Sequence, residues 1–413
     1  MSPEAPRAAV GAPGRSPGVH VSSLAQRERI SVVVAYVAFV LTGVSASVGS
    51  VVLPAQMTDY DVTRKTIGIT FFTFSAGFFL AGTTTGALMA RIGTRATLLA
   101  GSAAYVAGAL YTATRPSFVA LVVLQLVAGY GTGLLESVLN AYLTELPFAT
   151  QRLNRLHAFF GVGALIGPVL ATWMLQSWSW PAVWLVLGLA GIPVACAYAA
   201  TFPARPPRPA DDDAPPVRAA ALVAEALANG GVALAAVFLT VYVGVEMSVG
   251  NWGVNYLQEH RGEGETLAGA SLSAYWLGLT AGRFIISPVA DALRWTTARM
   301  TTACLVGVVG SLAVLGVSPF GGLSLAALAL LGFFLGPLFP TAMAVVPRLT
   351  TPAHVATAVG LMNAVSVIGG SALPWLAGAL GDLAGIGTLV PYVAVLALVQ
   401  LAVWRGVVRR LDA

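Results

Sequence analysis

Residues 76–93 read AGFFLAGTTTGALMARIG, and residues 277–294 read LGLTAGRFIISPVADALR. A shift of 201 positions, from 76 to 277, superposes them. Both stretches are apolar, and both run into a short basic loop. A second echo pairs GALIGP (163–168) with GSALP (370–374). Apolar helices rich in Gly and Ala resemble one another by composition alone. Here, however, the basic loop recurs at the same place, which favours two matching halves. Such internal symmetry is the layout of membrane proteins that rock two bundles about a site near the midplane.

The rest of the composition agrees. Of 413 residues, 57% are hydrophobic and 9% charged, and mean hydropathy is +0.81. An ordinary soluble domain has about 25% charged residues, so the chain reads as an all-α integral membrane protein. A crossing helix needs about 20 mostly apolar residues. Twelve runs qualify, near 30–56, 66–89, 96–114, 117–145, 155–177, 181–202, 231–257, 266–290, 299–317, 322–346, 354–381 and 386–407. The long polar interruption, FPARPPRPADDDAPPVRAAALVAEALANGG (202–231), falls between the sixth and seventh. The expected organisation is a disordered cytoplasmic tail (1–29), a six-helix bundle (30–202), a cytoplasmic linker (203–230) with a surface helix near 218–228, a second six-helix bundle (231–408) and a short tail (409–413).

The positive-inside rule sets the orientation. With the N-terminus inside, seventeen arginines fall on inner segments. Only Arg64, Lys65, Arg115 and Arg261 fall on outer ones, and Arg283 lies within a span. Both termini are therefore expected in the cytoplasm, in a cell (plasma) membrane. Trp178 and Trp180 suit an outer aromatic belt. The first thirty residues lack the apolar core of a secretory signal. Cys196 and Cys304 sit in apolar runs, so neither a disulfide framework nor a metal site is expected.

An ionisable residue at mid-membrane costs at least ~2.5 kcal/mol and survives where it faces a cavity or a partner. The stretch GYGTGLLESVLNAYLTELP (129–147) holds Glu136 and Asn140. On a helical period Gln125, Gly129, Thr132, Gly133, Glu136, Asn140 and Thr144 form one stripe, which suggests a water-accessible path. Glu246, Asn251, Trp252 and Asn255 lie in VYVGVEMSVGNWGVNYLQE (241–259); Trp276 and Arg283 lie in SAYWLGLTAGRFIISP (273–288). Asn363 and His157 complete the set. A structural ion pair among Glu136, Glu246 and Arg283 is the plainer alternative.

GALMARIGTR (86–95) resembles the signature loop of the major facilitator superfamily, Gly-x-Leu-x-Asp-Arg-x-Gly-x-Arg. Gly86, Leu88, Arg91, Gly93 and Arg95 match, while Ala90 replaces the Asp. In the second half the acid is present as Asp291. The resemblance implies a fold of twelve transmembrane helices in two pseudo-symmetric six-helix bundles. It also implies that these loops lock the halves on the cytoplasmic side. Asp291 is expected to face the start of the fifth span near Arg152 and Arg155, an acid near a helix N-terminus being favoured by the dipole; a solvated loop acid is the alternative.

GLLESVLN with RLNRLHAFFGVGALIGP, YVGVEMSVGNWGVNYL, YWLGLTAGRF and GGSALPWLAGALGD are together similar to the fucose permease (fucose–proton symporter) group. This resemblance implies that Glu136 handles sugar or protons, with Asn140 one turn on, and that Glu246 and Trp252 are the acid and aromatic of the seventh span. One departure stands out. The group's first span carries a proton-coupling Asp; that position here is Ser47, in GVSASVGSVVLPAQ (43–56). Coupling would then fall to Glu136 or Glu246.

The leading expectation is a secondary transporter of a small polar solute, a sugar or related compound, working by alternating access with protons. Its candidate contacts are Glu136, Asn140, Glu246, Trp252, Asn255, Trp276, Arg283 and Asn363. Trp252 and Trp276 offer faces for stacking on a sugar ring, although packing is the commoner role for each. A proton-coupled drug or metabolite efflux antiporter is one rival, since the fold does not decide between uptake and efflux. A non-transporting receptor or scaffold is another. No motif for an enzyme, cofactor, metal or nucleic acid is present, and a monomer in the lipid bilayer is expected.

Overall fold

The structure is a computed structural model that describes residues 18–144, 146–147, 149–204, 228–351 and 355–411. Among the described residues the chain is helical, with no strand. The order is α1 (Gly18–Tyr60), α2 (Arg64–Ile67), α3 (Ile69–Thr112), α4 (Phe118–Thr144), α5 (Ala149–Leu175), α6 (Pro181–Thr201), α7 (Gly230–Asn255), a π-helical turn (Tyr256–His260), α8 (Glu265–Ala292), α9 (Thr297–Val317), α10 (Gly321–Leu335), α11 (Leu338–Ala344), α12 (Val346–Leu349), α13 (Val355–Ala384) and α14 (Leu389–Leu411).

Ten helical stretches are long and apolar enough to cross a membrane. The other two expected runs, 96–114 and 266–290, are helical as well. Their Ser, Thr, Tyr and (in α8) Arg283 dilute the apolar character. Runs two and three share α3, which breaks at Gly93, where φ is +84°. An L side chain rarely adopts that φ, so the glycine supplies the turn. Its partner by the 201 shift, Arg294, also has positive φ, +55°. The tenth run breaks after Leu335, at Gly336–Pro337.

Two expectations change, and a third is not tested. The first helix starts at Gly18, so residues 18–29 of the expected tail are helical. Trp180 is buried and its indole donates to Asp59 at 2.9 Å, leaving Trp178 exposed at that level. Asp59 also lies 3.4 Å from Arg115, so Trp180 belongs to a polar staple within the first half. The expected surface helix lies outside the described residues, save for its last position.

Glycine-lined seams hold each half together. A Cβ at Gly129 would run into the Phe74 carbonyl, and one at Gly332 into the Tyr275 carbonyl. Gly133 meets Phe78 and Ala81, and Gly336 meets Leu279. Phe74 and Phe78 map onto Tyr275 and Leu279 by the 201 shift; Gly129 and Gly133 map onto Gly332 and Gly336 by 203. Small residues let helix backbones approach closely where lipid offers no hydrophobic drive to associate. The repeat in sequence is thus a repeat in packing, α3 on α4 and α8 on α10. Similar seams join α1 to α5 through Gly163, and α7 to α13 through Gly369.

Gly129→Ala is expected to lower thermal stability in detergent by about 1–3 kcal/mol, the range for overpacking a filled site. Gly49→Ala, where an added Cβ meets nothing within 4 Å, is expected to melt like the wild type.

Candidate functional site

Four polar side chains from four helices share one depth. Glu136 stands eight residues from Thr144 on α4, and His157 eight residues from Ala149 on α5. Arg283 stands nine residues from Ala292 on α8, and Asn363 eight residues from Val355 on α13. At 1.5 Å per residue, each lies about 12–14 Å from the same end of the molecule.

Arg283 is paired there. Its guanidinium lies 3.7 Å from the Glu246 carboxylate of α7, with 28% and 13% of the two side chains exposed. Tyr275 donates to the Glu246 backbone carbonyl at 3.1 Å. Tyr242, one turn before Glu246, lies within electrostatic reach of both charges. His157 lies within reach of Arg283 from the other half and sets its ring edge-on to Phe39 of α1. Gly161 of α5 packs against Thr280 of α8 beside this group. Two buried donors here, Arg283 Nε and Trp276 Nε1, have no acceptor among the described residues. Buried polar groups are ordinarily satisfied, so these are places for water or a polar solute.

The remaining predicted residues fall elsewhere. Glu136 is half-buried, and no described residue pairs with its carboxylate. The Asn140 amide donates to the Glu136 carbonyl at 2.8 Å, within its own helix. The expected single stripe on α4 divides in two. Gly129 and Gly133 face α3, whereas Gln125 and Thr132 line a cavity inside the first half. Asn363 is exposed, and its backbone carbonyl accepts from Ser366.

Trp252 and Asn255 belong to the opposite end of the molecule, which is closed. Trp252 is fully buried, donates to the Pro374 carbonyl at 2.7 Å and meets Phe71 edge-on. Asn255 donates to Glu259 at 2.9 Å. Arg64 of α2 pairs with that same Glu259 and lies 3.3 Å from Asp382 of α13. The Asp382 carboxylate also accepts the backbone N–H groups of Arg64, at 3.1 Å, and Lys65, at 2.7 Å. The Trp375 indole donates to the Lys65 carbonyl at 3.1 Å. Between described residues, these are the hydrogen bonds that join the first half to the second.

Among the described residues, the loops at the other end make no such link. Arg91 and Gly86 are exposed, and Arg95 donates to the Phe202 carbonyl at 2.6 Å, within its own half. Asp291 is exposed, and among the described residues it has no ion pair. Arg152 instead pairs with Glu28 at 2.8 Å. Among the described residues the expected contact of Asp291 with Arg152 is therefore not formed: Arg152 is taken by Glu28 of its own half, and Asp291 is exposed. Tyr242, Tyr275 and His157 were absent from the predicted contacts. The signals for them were spacing, Tyr242 one turn before Glu246, and depth, His157 level with Glu136.

Two outcomes follow from this geometry. Arg283→Met leaves Glu246 without its cation; breaking a buried pair by removing one partner costs about 3–5 kcal/mol, and partial exposure puts this pair at the lower end. Glu246→Gln with Arg283→Met is expected to melt closer to the wild type than Arg283→Met alone. Asp382→Asn is expected to raise the reactivity of a cysteine placed at Gln258 toward a membrane-impermeant thiol reagent, because the closed end loses its shared carboxylate.

Comparison with known proteins places the chain. The family described as Major Facilitator Superfamily matches residues 35–374 and 234–411. A Brucella abortus protein named glucose/galactose transporter is 25% identical over 371 residues, 84% of this chain and 87% of its own. A bacterial homologue of the human lysosomal transporter Spinster, crystallised in an inward-facing and unoccupied conformation, superposes with a TM-score of 0.78 at 13% identity, over 93% of this chain and 97% of that one. The Escherichia coli fucose:proton symporter superposes at 0.62 and 18% identity, over 92% and 98%. This multi-pass membrane protein belongs to the Major Facilitator Superfamily, a family of transporters rather than enzymes.

Proposed function

We propose that the protein is a proton-coupled carrier of a small hydroxylated solute of the sugar class, moved by alternating access between its two halves. The observation that carries this reading is the polar level itself. Glu136, His157, Arg283 with Glu246, and Asn363 come from both halves to one depth, above an end latched by Arg64 and below an end with no latch. The buried, unpartnered Arg283 Nε and Trp276 Nε1 supply hydrogen-bond donors for a neutral hydroxylated ligand. The relative named glucose/galactose transporter supports the sugar class.

Glu246 is held by its arginine, whereas Glu136 has no cation, so Glu136 is the acid free to exchange its proton. When the Arg64 end opens, Trp252 and Asn255 are the groups that a solute entering from that side would meet. Closure of the other end would bring Asp291 toward Arg152, releasing it from Glu28. Gly86, Arg91, Gly93 and Arg95 would form the matching loop. The arginine distribution favours both termini in the cytoplasm of a plasma-membrane protein, working as a monomer in lipid. The bundles are assigned to 30–202 and 231–408, joined by a linker at 203–230.

Proteoliposomes settle the matter with labelled glucose, galactose, fucose and xylose under an imposed proton gradient. Uptake of at least one of these above the empty-vesicle level is expected. Glu136→Gln is expected to abolish gradient-driven accumulation while leaving exchange of solute across the membrane. Drug tolerance on expression, with no sugar moved, would overturn the reading in favour of efflux.

A further inference from the structure

The first half holds a cavity away from the central level, mostly apolar in its lining but bordered by several polar side chains. It has a volume of about 80 Å³ and is lined by Ser45, Tyr105, Thr112, Gln125, Thr132 and Trp184 among others. The Ser45 and Tyr105 hydroxyls hydrogen-bond to each other at 2.5 Å. Gln125 has no hydrogen-bond partner among the described residues, and Trp184 Nε1 is buried without one. A second space of about 20 Å³ shares Thr42, Tyr105 and Thr132 with the first and reaches Tyr198. Tyr198 is fully buried and its hydroxyl is also unpartnered. Two orphaned donors thus border two neighbouring spaces that share Thr42, Tyr105 and Thr132.

The second half provides an internal control. The 203 shift that matches Gly129 to Gly332 and Gly133 to Gly336 also matches Gln125, Ala128 and Thr132 to Leu328, Leu331 and Leu335. All three leucines are buried. The space at the corresponding place, among α7, α9, α10 and α14, is only about 10 Å³. Its one polar side chain, Tyr256, has a hydroxyl that already accepts from Arg261 at 3.0 Å. The fold therefore does not require a wet hollow here. Of the three leucines Leu328 lines the small space, whereas Gln125, Ala128 and Thr132, each smaller or more polar than Leu, all line the larger one.

A cavity holds water when it offers more than about 10–15 Å³ and two to four polar partners, whereas apolar cavities stay dry. The hollow in the first half meets both conditions several times over; its counterpart meets neither. We propose that the N-terminal half contains a built water site, centred on Gln125, Thr132, Trp184 and the Ser45–Tyr105 pair, which supplies protons to Glu136. Thr132 and Glu136 lie one turn apart on α4, about 6 Å along the axis. A proton passes from hydronium in the cavity to a Glu136 carboxylate oxygen, forming its O–H bond and leaving neutral water. The supply role rests on the proton function proposed for Glu136; the water site does not.

Two measurements on the full chain in lipid nanodiscs test this. Hydroxyl-radical footprinting is expected to label Tyr105 and Tyr198 well above Trp404, a buried residue of the second half. Gln125→Leu/Ala128→Leu/Thr132→Leu, which installs the repeat's own residues, is expected to cut that labelling at least about fivefold, because the leucines fill the space water occupies. If the triple variant does not fold, Ala128→Leu and Gln125→Leu are read singly against the same criterion. Labelling no greater than that of Trp404, or unchanged in the leucine variants, overturns the water site.

Infrared hydrogen–deuterium exchange reads the second part. The carboxyl band lost in Glu136→Gln is expected to exchange about tenfold more slowly when the cavity is filled with leucine, since a buried acid without water loses its proton donor. An unchanged exchange rate overturns the supply role. The absence of any band lost in Glu136→Gln overturns both the supply role and the proton function of Glu136, with the footprinting still deciding the water site.

Discussion

A charge inside an apolar slab must find a partner or water, and this constraint organises the molecule. Arg283 and Glu246 satisfy it by facing each other across α8 and α7. Glu136 has no cation among the described residues, so under the proposed function its place is sustained by water or solute. Each solution fixes a helix face. The face of α8 with Arg283 must look inward, and that of α4 with Glu136 must look toward a wet space. Once those faces are set, the glycine seams on neighbouring faces decide which helices touch, and the two six-helix halves follow.

The closed end obeys the same electrostatics at a shallower level. One arginine there meets two carboxylates from the second half, and Asp382 takes two backbone N–H groups besides. An acid accepting N–H groups at the start of a short helix is favoured by the local dipole. This contact is reversible in a way that a glycine seam is not, because each charged group can return to water when the halves part. Rigid seams within halves and breakable polar contacts between them are what rigid-body rocking requires.

Much of this was legible in the sequence, and what was not has definite causes. The twelve runs, the repeat and the mid-membrane charges were readable because lipid tolerates so little polarity that each exception stands out. The Glu246–Arg283 pair was anticipated as one alternative. The latch was not, since Arg64, Glu259 and Asp382 each look like an ordinary charge at a span end. Trp252 read as a candidate solute contact as well as a packing residue because a buried packing indole and a ligand-facing one have the same sequence. Trp180 read as a belt residue because its partner Asp59 lies 121 positions away. The leucines facing Gln125, Ala128 and Thr132 across the repeat became visible only after the seams fixed the second shift, 203 rather than 201.

The central claim is that two rigid halves rock about the polar level, opening one end as the other shuts. The most direct measurement is a pair of spin-label distances in lipid, one between Thr114 and Leu383 at the latched end and one between Ile92 and Leu293 at the other. On adding the transported solute or changing pH, the account predicts that one distance lengthens as the other shortens, each between two discrete values. Two distances that stay fixed, or that lengthen and shorten together, would contradict it.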